Sequence, residues 1–375
     1  MNLNLTHIIS FCKGVFHGNS TEFTASHISI DSRSLQNGSN TLFFAIKGQN
    51  HDAHLYLEEL IAKGVRYFVV EYIPEHLYEK ANFIIVENSL KALQQTAIGY
   101  RKQFDFPFVG ITGSNGKTIV KEWLNFLLSP NHLIVRNPKS YNSQVGVPLS
   151  ILAIEGNYDL GIFEAGISLP NEMSNLKHII QPKYGILTNI GSVHDEGFSN
   201  REAKIKEKVQ LFENCSDILL EKNAEIEVLL PENSQKHTWS FSDESANLFV
   251  SKKNENGKTE LTFKNSTNTF SVNIPFSDEN SIENVITCVN FMLFLGEEIA
   301  FIQNRVAELY PVELRLQAKK GINNCLVIDD SYSVDYQSLK IALDFLEQQK
   351  LHDKKTIILS DIFTSGVAVE TLYNQ

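Results

Sequence analysis

Short apolar runs alternate with helical segments in the first part of the chain. Residues 42–46 and 67–71 are apolar runs of strand length, and residues 54–63 between them carry apolar side chains at helical spacing before Gly64. Strands separated by helices favour a layered sheet. We therefore predict a small α/β domain over residues 1–104.

The same alternation continues on a larger scale over residues 105–310. Apolar runs of strand length recur between helical segments, at residues 133–135, 160–163, 184–187 and 218–220. This pattern is typical of a mainly parallel sheet with helices on both faces, as in nucleotide-binding cores. Between about 236 and 275, short β-prone runs with Asn-Gly and Asn-Ser turns predict antiparallel hairpins, and residues 280–295 return to helix.

A third domain is predicted over residues 311–375. Residues 325–330 read as a strand that ends in two carboxylates, residues 335–348 as a helix and residues 356–359 as another strand. These residues are few for a doubly wound domain, so we expect an incomplete Rossmann-like fold.

Composition and charge narrow the class of protein. The chain has 375 residues, of which 42% are hydrophobic and 21% charged, and its net charge is −11. These values indicate a globular protein and disfavour nonspecific binding to nucleic acid or acidic membranes. Four widely spaced cysteines indicate neither a zinc site nor a disulfide framework, and no run approaches the ~18 apolar residues of a membrane span. We expect a cytoplasmic protein.

A glycine-rich turn follows the predicted strand at residues 108–111. The turn reads Gly113-Ser114-Asn115-Gly116-Lys117-Thr118. Glycines allow successive N–H groups to face one anion, a lysine reaches terminal phosphates, and the threonine hydroxyl stands where such loops bind magnesium. Ile111 replaces the first glycine of the standard phosphate-loop pattern, so the loop is a shorter variant. A strand-turn-helix junction that contains Gly-Lys-Thr by chance is the alternative.

Polar groups follow two further predicted strands. Glu164 ends one strand, and residues 188–194 end the next with Thr188, Asn189 and His194. Because ligands bind at the carboxyl ends of parallel strands, a phosphate loop, a glutamate and a histidine would converge on one polyphosphate-metal site. Helix capping by Glu164 and a structural His194 are the alternatives.

These segments together resemble the Mur ligase family of ATP-dependent amide-bond-forming enzymes. The resemblance rests on residues 112–118, on Glu164-Ala165-Gly166 and on Thr188-Asn189-Ile190-Gly191 with His194. Residues 141–150 and 329–332 are most similar to the branch that joins D-Ala-D-Ala to UDP-MurNAc-tripeptide. The resemblance implies a three-domain protein in which the central domain is a phosphate-loop ATPase domain.

The resemblance implies roles for the residues that match the family's motifs. Catalytic positions fall on Lys117, His194 and Lys208, and metal ligands on Thr118, Glu164, His194 and Lys208. Nucleotide-binding positions fall on Gly113, Ser114, Asn115, Gly116, Lys117, Thr118, Asn280, Asn284, Arg315 and Asp330. Substrate-binding positions fall on Ser32, Arg33, Asp52, His54 and Asn142. Lys208 is the implied carbamylated lysine, although Lys204, Lys206 and Lys208 alone favour a solvated basic helix face.

The implied reaction joins D-Ala-D-Ala to UDP-MurNAc-tripeptide through an acyl phosphate, with ATP and two Mg²⁺ ions. A related ligase, a folylpolyglutamate synthase and a catalytically silent nucleotide-binding module are the alternatives. The family's third domain normally continues beyond Gln375, and some bacteria fuse this ligase to an alanine racemase. A similar fusion in the full-length protein is therefore one expectation.

Overall fold

A computed structural model of the chain describes residues 3–33, 35, 38–48, 51–191, 198, 200–255, 258–310, 317–322, 325–329, 339, 342–343, 346 and 354–359. The strands are β1 Leu3–Asn4, β2 Val15–His17, β3 Thr24–Ala25, β4 His27–Ser29, β5 Thr41–Phe44, β6 Tyr67–Val70, β7 Asn82–Ile85, β8 Phe108–Thr112, β9 Ile134–Arg136, β10 Leu160–Glu164, β11 Tyr184–Leu187, β12 Asp217–Glu221, β13 Gln235–Ser240, β14 Leu248–Glu255, β15 Lys258–Lys264, β16 Thr269–Ile274, β17 Gln317–Lys320 and β18 Leu326–Asp329. The α-helices are α1 Leu5–Cys12, α2 Leu57–Ala62, α3 Ser89–Arg101, α4 Lys117–Leu128, α5 Gly146–Leu152, α6 Glu172–Ile180, α7 Arg201–Val209, α8 Ala224–Glu227, α9 Glu279–Phe294 and α10 Ile299–Ala307. Within these described stretches, every helix is too short or too polar to cross a membrane.

The chain divides into two compact units. The first comprises Met1–Gly110, His132–Gly166 and Met173–Lys183, and the second comprises Ile111–Asn131, Ile167–Glu172 and Tyr184–Gln375. Strand β8 passes from the first unit into the second.

The first unit contains a five-stranded sheet in the order β2-β7-β6-β5-β4. Strands β4 to β7 pair in parallel, whereas β2 pairs with β7 antiparallel. Strands β5 and β6 are buried along their whole length, which explains their continuous apolar runs. Phe43, Phe68 and Phe83 form the core of this sheet together with Leu57 and Leu60 from the helical segment. The predicted helix over residues 54–63 begins instead as a 3₁₀ turn, Ala53–Tyr56, before α2.

The remainder of the first unit holds strands β8, β10 and β9, adjacent in that order, with β9 and β10 parallel. Helix α3 ends at Arg101, whose Nε donates to the Ile180 carbonyl at 2.9 Å. The Arg101 guanidinium lies over the Phe108 ring, 3.6 Å from its centroid. Arg101 therefore ties the end of α3 to the start of β8.

The second unit continues a sheet in the order β8-β11-β12-β13-β14-β15-β16. Strands β11 to β14 pair in parallel, and β14, β15 and β16 form an antiparallel ribbon. The predicted antiparallel hairpins are therefore present, and they extend the main sheet. Helix α10 packs beside β16, and Gln303 Nε2 donates to the Ser271 carbonyl of that strand at 2.8 Å.

Helices α4 and α9 pack against each other in the second unit. The Cys288 thiol of α9 lies 3.9 Å from the Val120 carbonyl of α4, and Trp123 of α4 stacks on Phe276 just before α9. This packing joins the two helices whose first turns carry predicted nucleotide-binding residues.

Strands β17 and β18 form an antiparallel pair in the second unit. The strand predicted at residues 325–330 is thus present as β18. The strand predicted at residues 356–359 is wrong, because the described residues 354–359 are exposed and belong to no sheet. An apolar run forms a strand only where its backbone groups find partners. The predicted helix at 335–348 falls mostly outside the described residues.

Candidate nucleotide-binding site

The glycine-rich turn connects β8 to α4 in the second unit. Gly113 has φ +147° and Gly116 has φ +82°, backbone angles that favour glycine. Gly116 is the N-cap of α4, so the helix begins at Lys117 with its first backbone N–H groups at the turn. A helix N-terminus carries partial positive charge and binds anions. The local backbone therefore has the form expected of a phosphate-binding loop.

The segment after β11 braces this loop. The Asn189 carbonyl accepts from the Ser114 N–H at 2.8 Å, and Asn189 Oδ1 accepts from the Asn115 N–H at 2.9 Å. The buried Thr188 hydroxyl donates to the Asn115 carbonyl at 2.6 Å, and Ser114 Oγ accepts from the Gly191 N–H at 3.0 Å. These bonds fix the loop at both sides. The sequence placed residues 188–191 at the same rim but did not predict this bracing by Asn189.

Two lysine side chains converge on the loop. Lys117 Nζ donates to the carbonyls of Gly113 and Ser114, each at 2.9 Å. Lys208 Nζ donates to the same Gly113 carbonyl at 3.0 Å. The side-chain nitrogens of Lys117 and Lys208 therefore meet at one carbonyl oxygen of the loop.

Helix α7 places Lys208 in this position. Asn200 caps the helix by accepting from the Ala203 N–H at 2.8 Å. Lys204 and Lys208 are buried, whereas Lys206 is exposed and pairs with Glu202. A solvated face therefore describes Lys206 but not the other two lysines.

Helix α9 contributes the two predicted asparagines. Asn284 is buried, and its Oδ1 lies 2.2 Å from the position that a Cβ on Gly116 would take. Asn280 lies one helical turn earlier and lines a cavity of about 440 Å³. The structure thus brings Asn280 and Asn284 to the same end of the second unit as the loop.

This cavity, the α9 cavity, lies within the second unit. Its polar lining includes Asn115, Thr188, Asn189, Arg201, Glu221, Asn223, Asn280 and Glu283, and its apolar lining Leu187, Ile190, Leu220 and Ile226. Burial, followed by the charges of Glu221 and Glu279, raises the pKa of Glu283 to about 7. Partial desolvation also raises the pKa of Glu221, although this last residue of β12 remains exposed. Neither glutamate is among the site residues predicted from the sequence.

Glu164 and Asn142 lie in the first unit. Glu164 is fully buried at the end of β10, and its N–H donates to Asn137 Oδ1 at 3.1 Å while Asn137 Nδ2 donates to the Glu164 carbonyl at 3.2 Å. The Asn142 carbonyl accepts from the Gly166 N–H at 2.9 Å. Asn137 therefore positions the backbone of Glu164, a role that the sequence did not predict.

The predicted substrate residues Ser32 and Arg33 also lie in the first unit. Arg33 is exposed, and its guanidinium makes two hydrogen bonds of 2.9 Å with the Asp31 carboxylate. These hydrogen bonds hold the pKa of Asp31 well below its usual range, at about 2. Ser32 is buried and its carbonyl accepts from Lys63 Nζ at 2.9 Å. Only Arg33 of this pair presents its charged group to solvent.

Asp52 and His54 support the 3₁₀ turn before α2. His54 is buried; its Nδ1 lies 2.6 Å from Asp52 Oδ1, and its Nε2 accepts from the Glu71 N–H at 2.9 Å. Tyr72 stacks on the His54 ring with centroids 4.4 Å apart. Both ring nitrogens are thus engaged within the protein, which gives His54 a structural role. Contact of Asp52 or His54 with a substrate stays a prediction.

Three predicted site residues, His194, Arg315 and Asp330, lie outside the described residues. Thr118 lies in the first turn of α4, directly after Lys117. Its predicted contact with magnesium stays untested.

Comparison with known proteins identifies the family. The model for the Mur ligase middle domain matches residues 111–292, the part of the chain that contains the loop, α7 and α9. The UDP-N-acetylmuramoyl-tripeptide–D-alanyl-D-alanine ligase of Bacillus subtilis (strain 168) is 25% identical over 374 residues, which cover 98% of this chain and 80% of that protein. The ligase of the same name from Borreliella burgdorferi is 29% identical and covers 98% of this chain and 82% of that protein.

The chain belongs to the Mur ligase family. Its fold is similar to the crystal structure of MurF from Acinetobacter baumannii, with a TM-score of 0.83, 22% identity and coverage of 93% of this chain and 77% of that one. MurF from Thermotoga maritima in complex with ADP gives a TM-score of 0.74 at 23% identity, covering 86% of this chain and 74% of that one. The predicted α/β Mur ligase fold class is confirmed.

The loop glycine of this Mur ligase gives a testable prediction. Gly116→Ala should weaken ATP binding at least ~10-fold, because its Cβ would displace Asn284 and the left-handed backbone would cost a further ~1–2 kcal/mol. Gly296→Ala is the matched control, since Gly296 has φ +83° but its Cβ would meet no atom within 4 Å. Calorimetric titration with ATP should show normal affinity for Gly296→Ala. Equal losses in the two variants would assign the effect to backbone strain rather than to the loop.

Proposed function

We propose that this Mur ligase joins D-Ala-D-Ala to UDP-MurNAc-tripeptide at the expense of ATP. The observation that carries the proposal is the loop at the N-terminus of α4, where Lys117 and Lys208 both donate to the Gly113 carbonyl. It is supported by the curated relatives, which are named as ligases of that type and match nearly the whole chain. The way in which the enzyme would act on ATP follows from the charged side chains at the loop.

The loop would bind the β- and γ-phosphates of ATP through its N–H groups and through Lys117. ATP phosphorylates the terminal carboxylate of the tripeptide, and the amine of D-Ala-D-Ala then displaces phosphate to form the amide bond. Negative charge on the transferred phosphoryl group grows towards the transition state. A lysine already held by two carbonyls needs little reorganisation to stabilise that charge.

Magnesium fits the oxygen-rich character of the proposed ligands. We propose Thr118, Glu164, His194 and a carbamylated Lys208 as the groups that hold two ions. Among the described residues there is no group of three or more His, Cys, Asp or Glu side chains suited to a metal. Magnesium bound by few protein ligands together with substrate phosphates agrees with that distribution. When bound, magnesium would neutralise charge on the β- and γ-phosphates.

A carbamate on Lys208 agrees with the burial of its amine. A buried ammonium is costly, whereas CO₂ converts a neutral amine into an anionic oxygen ligand. The carbamate would then serve one of the two ions, and Lys117 would remain the cation of the loop.

The other roles follow the family pattern. We propose that residues 1–104 bind the UDP portion of the substrate in the region of Ser32, Arg33, Asp52 and His54. Asn142, from the central domain, is a further proposed substrate contact. We assign residues 105–310 to ATP binding and residues 311–375 to part of the ligase domain, where Arg315 and Asp330 contact the nucleotide. Because ATP and UDP-linked precursors are cytoplasmic metabolites, we place the reaction in the cytoplasm.

Phosphate release with UDP-MurNAc-tripeptide tests the proposal. We expect release with ATP and D-Ala-D-Ala, and little with single amino acids or with glutamate. Release with UDP-MurNAc-dipeptide and a single amino acid would favour a ligase that adds the third residue, and release with folate and glutamate would favour a folylpolyglutamate synthase. Nucleotide binding without release in any mixture would indicate a catalytically silent module.

A further inference from the structure

The α9 cavity holds a pair of carboxyl groups that the proposed reaction does not use. Glu221 is the last residue of β12, and Glu283 lies on α9 between Asn280 and Asn284. Both glutamates line the cavity, which also contains Asn115, Thr188 and Asn189 from the phosphate loop and its brace. A nucleotide whose phosphates occupy the loop would therefore extend its nucleoside towards the two glutamates.

The rest of the cavity lining suits a flat base. Leu187, Ile190, Leu220 and Ile226 provide its apolar walls. Two other polar side chains of the lining already have partners: Asn223 Oδ1 accepts from two backbone N–H groups at the start of α8, and Arg201 pairs with Glu225. Recognition of a base edge then falls mainly to Glu221, Glu283 and Asn280.

We propose that Glu221 and Glu283 determine the preference for adenine, with Glu283 donating a hydrogen bond as a carboxylic acid and Glu221 accepting one as a carboxylate. This inference rests on the proposed binding of ATP and adds the residues that read its base. Adenine presents an amino donor beside a ring-nitrogen acceptor, whereas guanine presents an oxygen acceptor in place of that amino group. One donor and one acceptor on the protein therefore match adenine and oppose guanine.

The charges around Glu283 favour its protonated form. Burial is the main cause, and the carboxylates of Glu221, Glu279 and Asp278 add to it. Lys252 acts in the opposite direction, although its ammonium already pairs with Glu279. Since the pKa of Glu283 is raised to about 7, the carboxylic acid predominates below neutral pH, is about half populated at pH 7 and is lost above it.

Ionisation of Glu283 should change which base binds better. When Glu283 is ionised, both glutamates are hydrogen-bond acceptors. The adenine ring nitrogen, itself an acceptor, would then face an acceptor. The N1–H and 2-amino donors of guanine would instead gain an acceptor. The ratio of ATP affinity to GTP affinity should therefore fall by up to about tenfold per pH unit above 7. Taking this ratio cancels the titration of the phosphates, which both nucleotides share.

Calorimetric titration of the wild type and of Glu283→Gln with ATP and GTP, from pH 6 to 8.5, tests the proposal. Glutamine donates at every pH, so Glu283→Gln should keep its preference for ATP and change it less than about twofold over this range. The exposed Glu260 of β15 provides the control, since Glu260→Gln removes a carboxylate outside the cavity and should keep the wild-type profile. A wild-type ratio that does not change with pH would overturn the proposal.

Two nucleotide analogues test whether the glutamates contact the base or the ribose. Purine riboside triphosphate lacks the 6-amino group and should bind about tenfold or more weakly to the wild type, because Glu221 loses its donor. The 2′-deoxy form of ATP should bind normally. The opposite result would mean that the glutamates contact the ribose, and the proposal would be wrong. If neither ATP nor GTP binds at any pH, the proposed function itself fails, which is a different outcome from equal binding of both.

The stability of the unliganded protein tests independently whether Glu283 is protonated. The pKa of Glu283 lies above the ordinary value of 4.5, so its ionisation disfavours the folded state. The free energy of unfolding of the wild type, relative to Glu283→Gln, should fall as pH rises from about 4.5 to about 7 and then level off. If this difference does not vary with pH, Glu283 holds no proton near neutrality and cannot be the donor.

Discussion

Replacement of Lys117 by alanine should lower kcat by at least ~10²-fold, the loss expected when a preorganised charge is removed from a transition state. The ammonium is held by two loop carbonyls at 2.9 Å, so it is already in place before the phosphoryl group moves. Lys117→Met should give a similar loss, because it keeps most of the apolar stem of the side chain but removes the ammonium with its charge and its two hydrogen bonds. Turnover of ATP with both peptide substrates measures the effect.

Thermal unfolding and a distant lysine provide the controls for Lys117. Both variants should unfold close to the wild-type temperature, since the first turn of α4 retains its backbone bonds. Lys264 is exposed on β15, and Lys264→Ala should leave kcat unchanged. Near-wild-type turnover in Lys117→Ala would remove the phosphate-loop assignment.

For Lys208 we expect a nearly inactive alanine variant that added formate or acetate partly restores. A small carboxylate would replace the oxygen ligand that the carbamate supplies to magnesium. Lys206→Ala is the matched control, because Lys206 lies two residues away on α7 but is exposed and paired with Glu202. It should retain full activity.

A second measurement separates the carbamate from a simple ammonium at Lys208. Incubation with ¹³C-bicarbonate should give a carbamate carbon signal by NMR in the wild type and in Lys206→Ala, but not in Lys208→Ala. If Lys208→Ala is inactive, shows no rescue and the wild type gives no signal, Lys208 acts through its ammonium on the Gly113 carbonyl. Full activity in Lys208→Ala would mean that the lysine has no part in catalysis.

Strand positions could be predicted because parallel strands are buried on both faces. The apolar run at 184–187 coincides with β11, and the run at 160–163 lies within β10. The loop at residues 113–118 was also predictable, because glycine spacing and a following lysine form a local pattern. Features that depend on one continuous segment of the chain can be predicted from the sequence before the fold is known.

The environment of charged residues could not be predicted in the same way. Lys204, Lys206 and Lys208 look alike in sequence, and only the packing of α7 buries two of them. Glu283 reads as one of several exposed glutamates until α9 lies beside the end of β12. Bracing by Asn189 likewise requires β11 to lie next to β8. Such properties come from contacts between segments distant in sequence.

The contact between Gln303 and Ser271 has a consequence for self-association. Strand β16 is the last strand of its sheet in the described part of the chain, and an open edge of this kind can recruit a strand from another molecule. Helix α10 lies beside that edge, and Gln303 occupies one of its carbonyl oxygens at 2.8 Å. An incoming chain would have to displace the glutamine before it could pair there. The side-chain amide of Gln303 thus opposes the pairing of β16 with a strand of another molecule.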